Sequence, residues 1–170
     1  HRLLSQQTHN PTETRILRKA YLADIPLIRD MAYKIWPVTY GNILSPEQLD
    51  YMLRLIYDEK VLHEQMEKNI EFILVYDAGH PVGFASYSLI EPQVFKLHKI
   101  YVLPSQQGKG TGRFIIDQLT NAMKKKGATI LQLNVNRYNN ARDFYEKMGF
   151  VVIKEEDVDI GNGYFMNDYM

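Results

Sequence analysis

The chain has no cysteine anywhere in its 170 residues. A disulfide framework, a thiolate-bearing zinc site and a cysteine nucleophile are therefore excluded at the outset. The same absence suits a reducing compartment and sets the expectation of a cytoplasmic protein. Net charge is lacking too, because 20 basic and 20 acidic residues cancel. Nucleic-acid binders carry a basic excess or stripe, so no nucleic-acid partner is expected. The one basic run, Lys124-Lys125-Lys126, stands before Gly127 and reads as a helix C-terminus, where cations complement the helix dipole. Long apolar runs are missing as well. None approaches the roughly 20 residues that span a bilayer, so no membrane partner is expected. Nor is there a repeat or a Pro/Gly-rich linker to divide the chain.

What remains is the composition of an ordinary globular domain, 45% hydrophobic and 24% charged. Residues 1–14 are polar and without periodicity and read as a tail, leaving 15–170 as one domain. Ile16–Leu22 alternates like a strand. Asp24 stands where it can cap a helix carrying Ile28, Met31, Ala32, Ile35 and Trp36, and Pro37 is expected to stop that helix. Ser45-Pro46-Glu47-Gln48 is a capping signature for a second helix with Leu49, Met52, Leu53 and Ile56 on one face. Val61, Leu62 and Met66 suggest a third. Glu71–Tyr76 and Pro81–Ile90 form a hairpin around Asp77-Ala78-Gly79-His80. Phe95–Leu103 is a further strand, closed by Pro104. A helix follows over about Thr111–Lys126, then a strand over Thr129–Val135, a helix over Ala141–Met148 and a strand from Phe150. This order predicts a mixed α/β sandwich about a central sheet.

Chemistry concentrates where the strand through Ile100-Tyr101-Val102 runs into a loop with glycines at 108, 110 and 112, and a helix opens directly after. Glycines allow tight turns and unobstructed main-chain N–H groups, and a helix start adds orphan donors and a positive dipole end. Together they suit a phosphate or pyrophosphate. The spacing fits neither a Walker A loop nor the G-x-G-x-x-G dinucleotide fingerprint.

It does fit another pattern. Gln107-Gly108-Lys109-Gly110-Thr111-Gly112 resembles the Q/R-x-x-G-x-G/A signature of GNAT acetyltransferases, preceded as in that family by a hydrophobic-Pro pair. Asn139-Asn140-Ala141 and Phe144-Tyr145-Glu146-Lys147-Met148-Gly149-Phe150 look like the family's second cofactor segment. The resemblance covers roughly Ile16–Met170 and is strongest over Ile100–Phe150. It implies an α/β (α+β) single-domain GNAT fold, with a central mixed, mostly antiparallel sheet flanked by helices and two splayed central strands. It implies acetyl-CoA as co-substrate and no metal. Main chain at Ile100, Tyr101 and Val102 would hold the pantetheine arm, and Gln107, Gly108, Lys109, Gly110, Thr111 and Gly112 the pyrophosphate. The loop before Ala141 is about one residue shorter than in many relatives, so Asn136, Asn139 and Asn140 compete for the family's asparagine contact, with Asn139 favoured.

By the same resemblance Tyr145 matches the general acid that protonates the departing thiolate. The base is less determined. Simple alternation puts Lys96, His98, Ile100 and Val102 on one strand face, and relatives often carry an acid where this chain has Lys96 and His98. His98, Glu91 and a water chain are the three candidates. Trp36-Pro37-Val38-Thr39-Tyr40 and Ser45-Pro46-Glu47-Gln48-Leu49 look similar to bacterial spermine/spermidine acetyltransferases, which points to Trp36, Tyr40 and Tyr51 as acceptor-binding residues. The implied partner is a small-molecule amine, polyamine-like. Acetylation of protein or peptide amines and a non-catalytic acetyl-CoA sensor stand as alternatives. Many members of the family form homodimers.

Overall fold

Alternating apolar residues in the middle of the chain build a twisted sheet, and amphipathic helices cover its two faces. The computed structural model describes residues 13–136, 139, 141–161 and 164–169, so positions 1–12 of the expected tail lie outside the described residues. Five strands, β1 (Arg15–Lys19), β2 (Glu71–Asp77), β3 (His80–Glu91), β4 (Val94–Val102) and β5 (Ile130–Leu133), lie in that order across the sheet. Neighbours are antiparallel except β4 and β5, which run parallel. A parallel pair needs a crossover, and the helix over Thr111–Lys125 supplies it.

One face carries α1 (Ile25–Tyr40), α2 (Pro46–Ile56) and α3 (Glu59–Glu67), whose core includes Ile28, Trp36, Met52, Leu62, Phe72 and Phe84. The other face carries the crossover helix, α4, with Ile115, Ile116, Leu119 and Met123 against Val75, Ala85 and Leu97. A shorter helix, α5 (Ala141–Lys147), sends Phe144 and Tyr145 against that second core. A second sheet comprises β6 (Val135–Asn136), β7 (Glu155–Gly161) and β8 (Tyr164–Tyr169) in spatial order β6-β8-β7. The architecture is the mixed, mostly antiparallel α/β arrangement expected. Among the described residues, no helix is long and apolar enough to cross a membrane.

Local signals account for most boundaries. Ser45 Oγ accepts the Gln48 N–H at 3.1 Å and opens α2, while Asp58 caps α3 through the N–H groups of Lys60 and Val61. Four boundaries differ from expectation. Pro37 does not stop α1, which runs on to Tyr40. An interior proline costs about 3 kcal/mol. Here Trp36 and Tyr40, one turn apart, are both buried in the first core, and that burial overrides the local preference. Asp24 does not cap α1 with its side chain; it forms a two-pronged pair with Arg18 instead. The strand expected over Thr129–Val135 divides at Asn134, so that β5 stays with β4 while β6 joins the second sheet. Likewise the strand expected from Phe150 begins only at Glu155.

Candidate active site

The division at Asn134 opens the sheet. β4 and β5 are paired from Val94↔Ile130 to Leu97↔Leu133, and no further. From His98 to Val102 the β5 side of β4 therefore has no strand partner among the described residues, an edge of roughly 13 Å at a strand rise of about 3.3 Å per residue. Unpaired N–H and C=O groups along such an edge are a template for an extended ligand.

A bulge sits at the same place. Ser86 and Tyr87, adjacent on β3, oppose Lys99 and Leu97 on β4, so His98 is one residue extra. Its effect is to exchange the two faces of β4. Phe95 and Leu97 before it, and Ile100 and Val102 after it, all lie on the α4 side, whereas Tyr101 joins the α1 side. The single alternating face expected for Lys96, His98, Ile100 and Val102 is thus interrupted, since simple period-2 reasoning cannot see an inserted residue.

Beyond the open edge comes the glycine loop. Gly108 and Gly110 have φ of 76° and 79°, the left-handed region that costs other residues about 1–2 kcal/mol. Gly110 is the N-cap of α4, and the first bond into the helix runs from the Phe114 N–H to the Gly110 carbonyl at 3.0 Å. The N–H groups of Thr111, Gly112 and Arg113 consequently have no helical partner. Gln107 and Lys109 are exposed beside them. Thr111 is buried and donates to Gln106 Oε1 at 2.9 Å, which ties the two ends of the loop together. Gln106 was not singled out in the sequence, where only its five-residue separation from Thr111 hints at this tie.

Gly112 serves a different purpose. A Cβ there would stand 3.4 Å from the ring of Phe144, in ordinary contact, so the space between α4 and α5 admits a methyl group and nothing larger. Gly112→Val is expected to destabilise the fold by about 1–3 kcal/mol through overpacking, and Gly112→Ala to leave Tm unlowered. Thermal melts of the two variants check this.

α5 brings Tyr145 to the opening. Its ring packs edge-on to Phe144 at 5.2 Å and Phe150 at 5.7 Å. Burial, with the nearby Tyr40 adding to it, pushes the Tyr145 phenol well above its ordinary range. Tyr40 lies on the far face of the sheet, where its hydroxyl is 3.0 Å from that of Tyr101. Tyr145 interacts electrostatically with both phenols across the sheet. Trp36 lies beneath this pair, 4.7 Å from Tyr40 and 5.8 Å from Tyr101, and is only 2% exposed. Tyr51 packs half-buried against the same core.

The remaining candidates are more scattered. His98 Nε2 is 2.6 Å from Ser88 Oγ. Partial desolvation of its ring, reinforced by the Lys99 and Lys96 cations, lowers its pKa to about 4. Lys99, largely buried near the rings of Phe72 and Tyr57, is lowered to about 8 by desolvation. Glu91 is exposed at the opposite end of β3, facing Val94 and roughly 10 Å along the strand from the parting at Leu97. Asn139 Oδ1 accepts the Ala141 N–H at 3.0 Å and so serves the start of α5. Asn136 is buried, and Asn140 lies outside the described residues.

A parted parallel strand pair, followed at once by a glycine loop at a helix start, can be compared with known proteins. The model of the acetyltransferase (GNAT) domain matches residues 42–165. This chain belongs to the GNAT acetyltransferases. A spermidine N(1)-acetyltransferase of Thermoplasma acidophilum is 30% identical to this GNAT chain over 156 residues, covering 88% of it and 94% of the relative. A ribosomal protein bS18-alanine N-acetyltransferase of Haemophilus influenzae is 36% identical over 84 residues, 49% of this chain and 53% of that one. The crystal structure of PaiA N-acetyltransferase from Thermoplasma acidophilum in complex with coenzyme A superposes with a TM-score of 0.75 at 26% identity, covering 91% of this chain and 97% of that chain. The GNAT assignment makes this chain an N-acetyltransferase with acetyl-CoA as co-substrate.

Proposed function

We propose that this GNAT enzyme acetylates a primary amine of a small molecule of the polyamine class. The observation that carries the reading is the open edge of β4 from His98 to Val102, which runs directly into the glycine loop and the start of α4 and bears Tyr101, its hydroxyl paired with that of Tyr40. The open edge of β4 at Ile100, Tyr101 and Val102 suits the pantetheine arm, and the donors from Gly108 to Arg113 suit the pyrophosphate. The bound co-substrate supplies an acetyl thioester. With no cysteine in the chain to carry the acetyl group on sulfur, direct attack by the amine is the simplest route. A C–N bond forms, the C–S bond breaks, and holding both substrates in line removes much of the entropic barrier.

Tyr145, kept neutral by burial, donates to the departing sulfur. His98 is unprotonated above about pH 4 and can accept the amine proton, but so weak a base passes it on to water rather than keeping it. Glu91 is too far along the strand to take part. Trp36 forms the floor under Tyr40, which is itself buried, so of the three expected acceptor-binding residues Tyr51, half-buried, has aromatic surface open to a cation. The polyamine class is supported by the spermidine relative, which aligns over almost its full length, whereas the ribosomal-protein relative aligns over about half.

Released CoA thiol, followed with a thiol reagent, tests this without background from the protein. Spermidine, spermine or putrescine should give higher kcat/KM than amino acids, an aminoglycoside or a short peptide. A preference for the peptide would replace the proposal with protein acetylation. Binding of acetyl-CoA without release by any amine would replace it with a sensor.

A further inference from the structure

The glycine loop is braced from behind by a residue 94 positions earlier in the chain. Arg15, the first residue of β1, donates from Nη1 to the Lys109 carbonyl at 3.1 Å and reaches Thr111 Oγ1 at 3.4 Å. Its other prongs are engaged by Glu13, Nε to Oε1 at 2.7 Å and Nη2 to Oε2 at 2.9 Å. The guanidinium lies 5.0 Å from the ring centroid of Phe114, in the first turn of α4. Glu13 also accepts the Arg15 main-chain N–H at 2.8 Å. The cation is thus fixed on several sides, with Glu13 balancing its charge.

A trans peptide is planar, so a carbonyl and the N–H that follows it point in opposite directions. A cation that holds the Lys109 carbonyl on one side therefore aims the Gly110 N–H to the other. That N–H makes no hydrogen bond among the described residues, and it adjoins the partnerless N–H groups of Thr111, Gly112 and Arg113. A charge-assisted bond to the carbonyl also polarises the amide and strengthens its donor.

We infer that Arg15 is a positioning residue for the co-substrate: it acts through the Lys109–Gly110 peptide to aim a main-chain donor at the pyrophosphate, without touching phosphate itself. The inference rests on the reading of this loop as the pyrophosphate cradle. Arg15 then governs affinity for the nucleotide half of acetyl-CoA and leaves the chemical step alone.

Two acetyl donors separate these effects: acetyl-CoA, and acetyl-pantetheine, which carries the thioester arm and no phosphate. Arg15→Met should lower kcat/KM for acetyl-CoA about tenfold, the scale of one lost charge-assisted bond. The loss should lie in KM, with kcat within about twofold, and acetyl-pantetheine should be used as well as by the unaltered enzyme. Arg15→Lys, which keeps a donor for the carbonyl, should recover most of the loss. Equal losses with both donors, or a fall in kcat at constant KM, would overturn the inference. Should Arg15→Met fail to fold by circular dichroism, Arg15→Lys carries the same comparison, and any loss it shows must be confined to acetyl-CoA. If the unaltered enzyme uses the two donors equally well, the cradle reading itself is wrong, a result distinct from any effect of Arg15.

Discussion

Tyr145→Phe should lower kcat by about 10²–10⁴-fold while leaving acetyl-CoA binding within a few-fold of the unaltered enzyme. The range is that of a positioned general acid. The substitution removes one hydroxyl and keeps the ring, so the edge-on packing with Phe144 and Phe150 survives and the fold should not change. The direction of the pKa shift adds a second readout. A phenol held above its ordinary value stays protonated through neutral and mildly alkaline solution, so Tyr145 should put no falling limb in the kcat profile below about pH 10. Stopped thiol release measures kcat, and calorimetric titration with CoA measures binding. An unchanged kcat would remove Tyr145 from the chemistry and leave it as an aromatic packing residue.

How much of this could be read in advance depended on whether the signal was local. The cap at Ser45, the hairpin at Asp77–His80 and the glycine loop before α4 are each written in a few adjacent residues, and each appears where the pattern puts it. The opening of the sheet is different. It arises because β5 ends at Leu133 and the chain leaves for another sheet after Asn134, yet Leu131, Leu133 and Val135 alternate as though one strand continued. The bulge at His98 is equally silent, because an inserted residue leaves the composition of β4 unchanged while reversing its faces. Arg15 was invisible for a third reason: its partners on the loop are 94 and 96 residues away, and nothing near Arg15 announces them. Family resemblance filled part of this gap by implying that two central strands splay. It offered no guide to Gln106 or Arg15, whose roles come from contacts within this fold.

The largest effect on stability should come from Trp36, and it separates two roles for that residue. The sequence placed Trp36 both on the apolar face of the first helix and among the acceptor-binding residues, and in the second role truncation would weaken amine binding and barely change the fold. The structure gives it 2% exposure, ring contacts with Tyr40, Tyr57 and Tyr101, and a place in the core under α1. Truncating a buried tryptophan removes its transfer energy and leaves a cavity, so Trp36→Ala should cost about 3–5 kcal/mol. Against a total of about 5–15 kcal/mol for a typical domain, that is a large share. For a chain of this length it corresponds to a fall in Tm on the order of 10 °C. Trp36→Phe should cost less, since it keeps one aromatic ring in the core and gives up only the rest of the indole with its N–H. Tyr51→Ala, at a half-buried site, should cost less than Trp36→Ala for the same reason of exposure. Thermal melts run beside amine kinetics decide the matter. A Trp36→Ala enzyme with unchanged Tm and a raised KM for the amine would return Trp36 to the acceptor surface. A large fall in Tm would make Trp36 the floor that holds Tyr40 and Tyr101 at the opening, so that its influence on the acceptor is exerted through their positions.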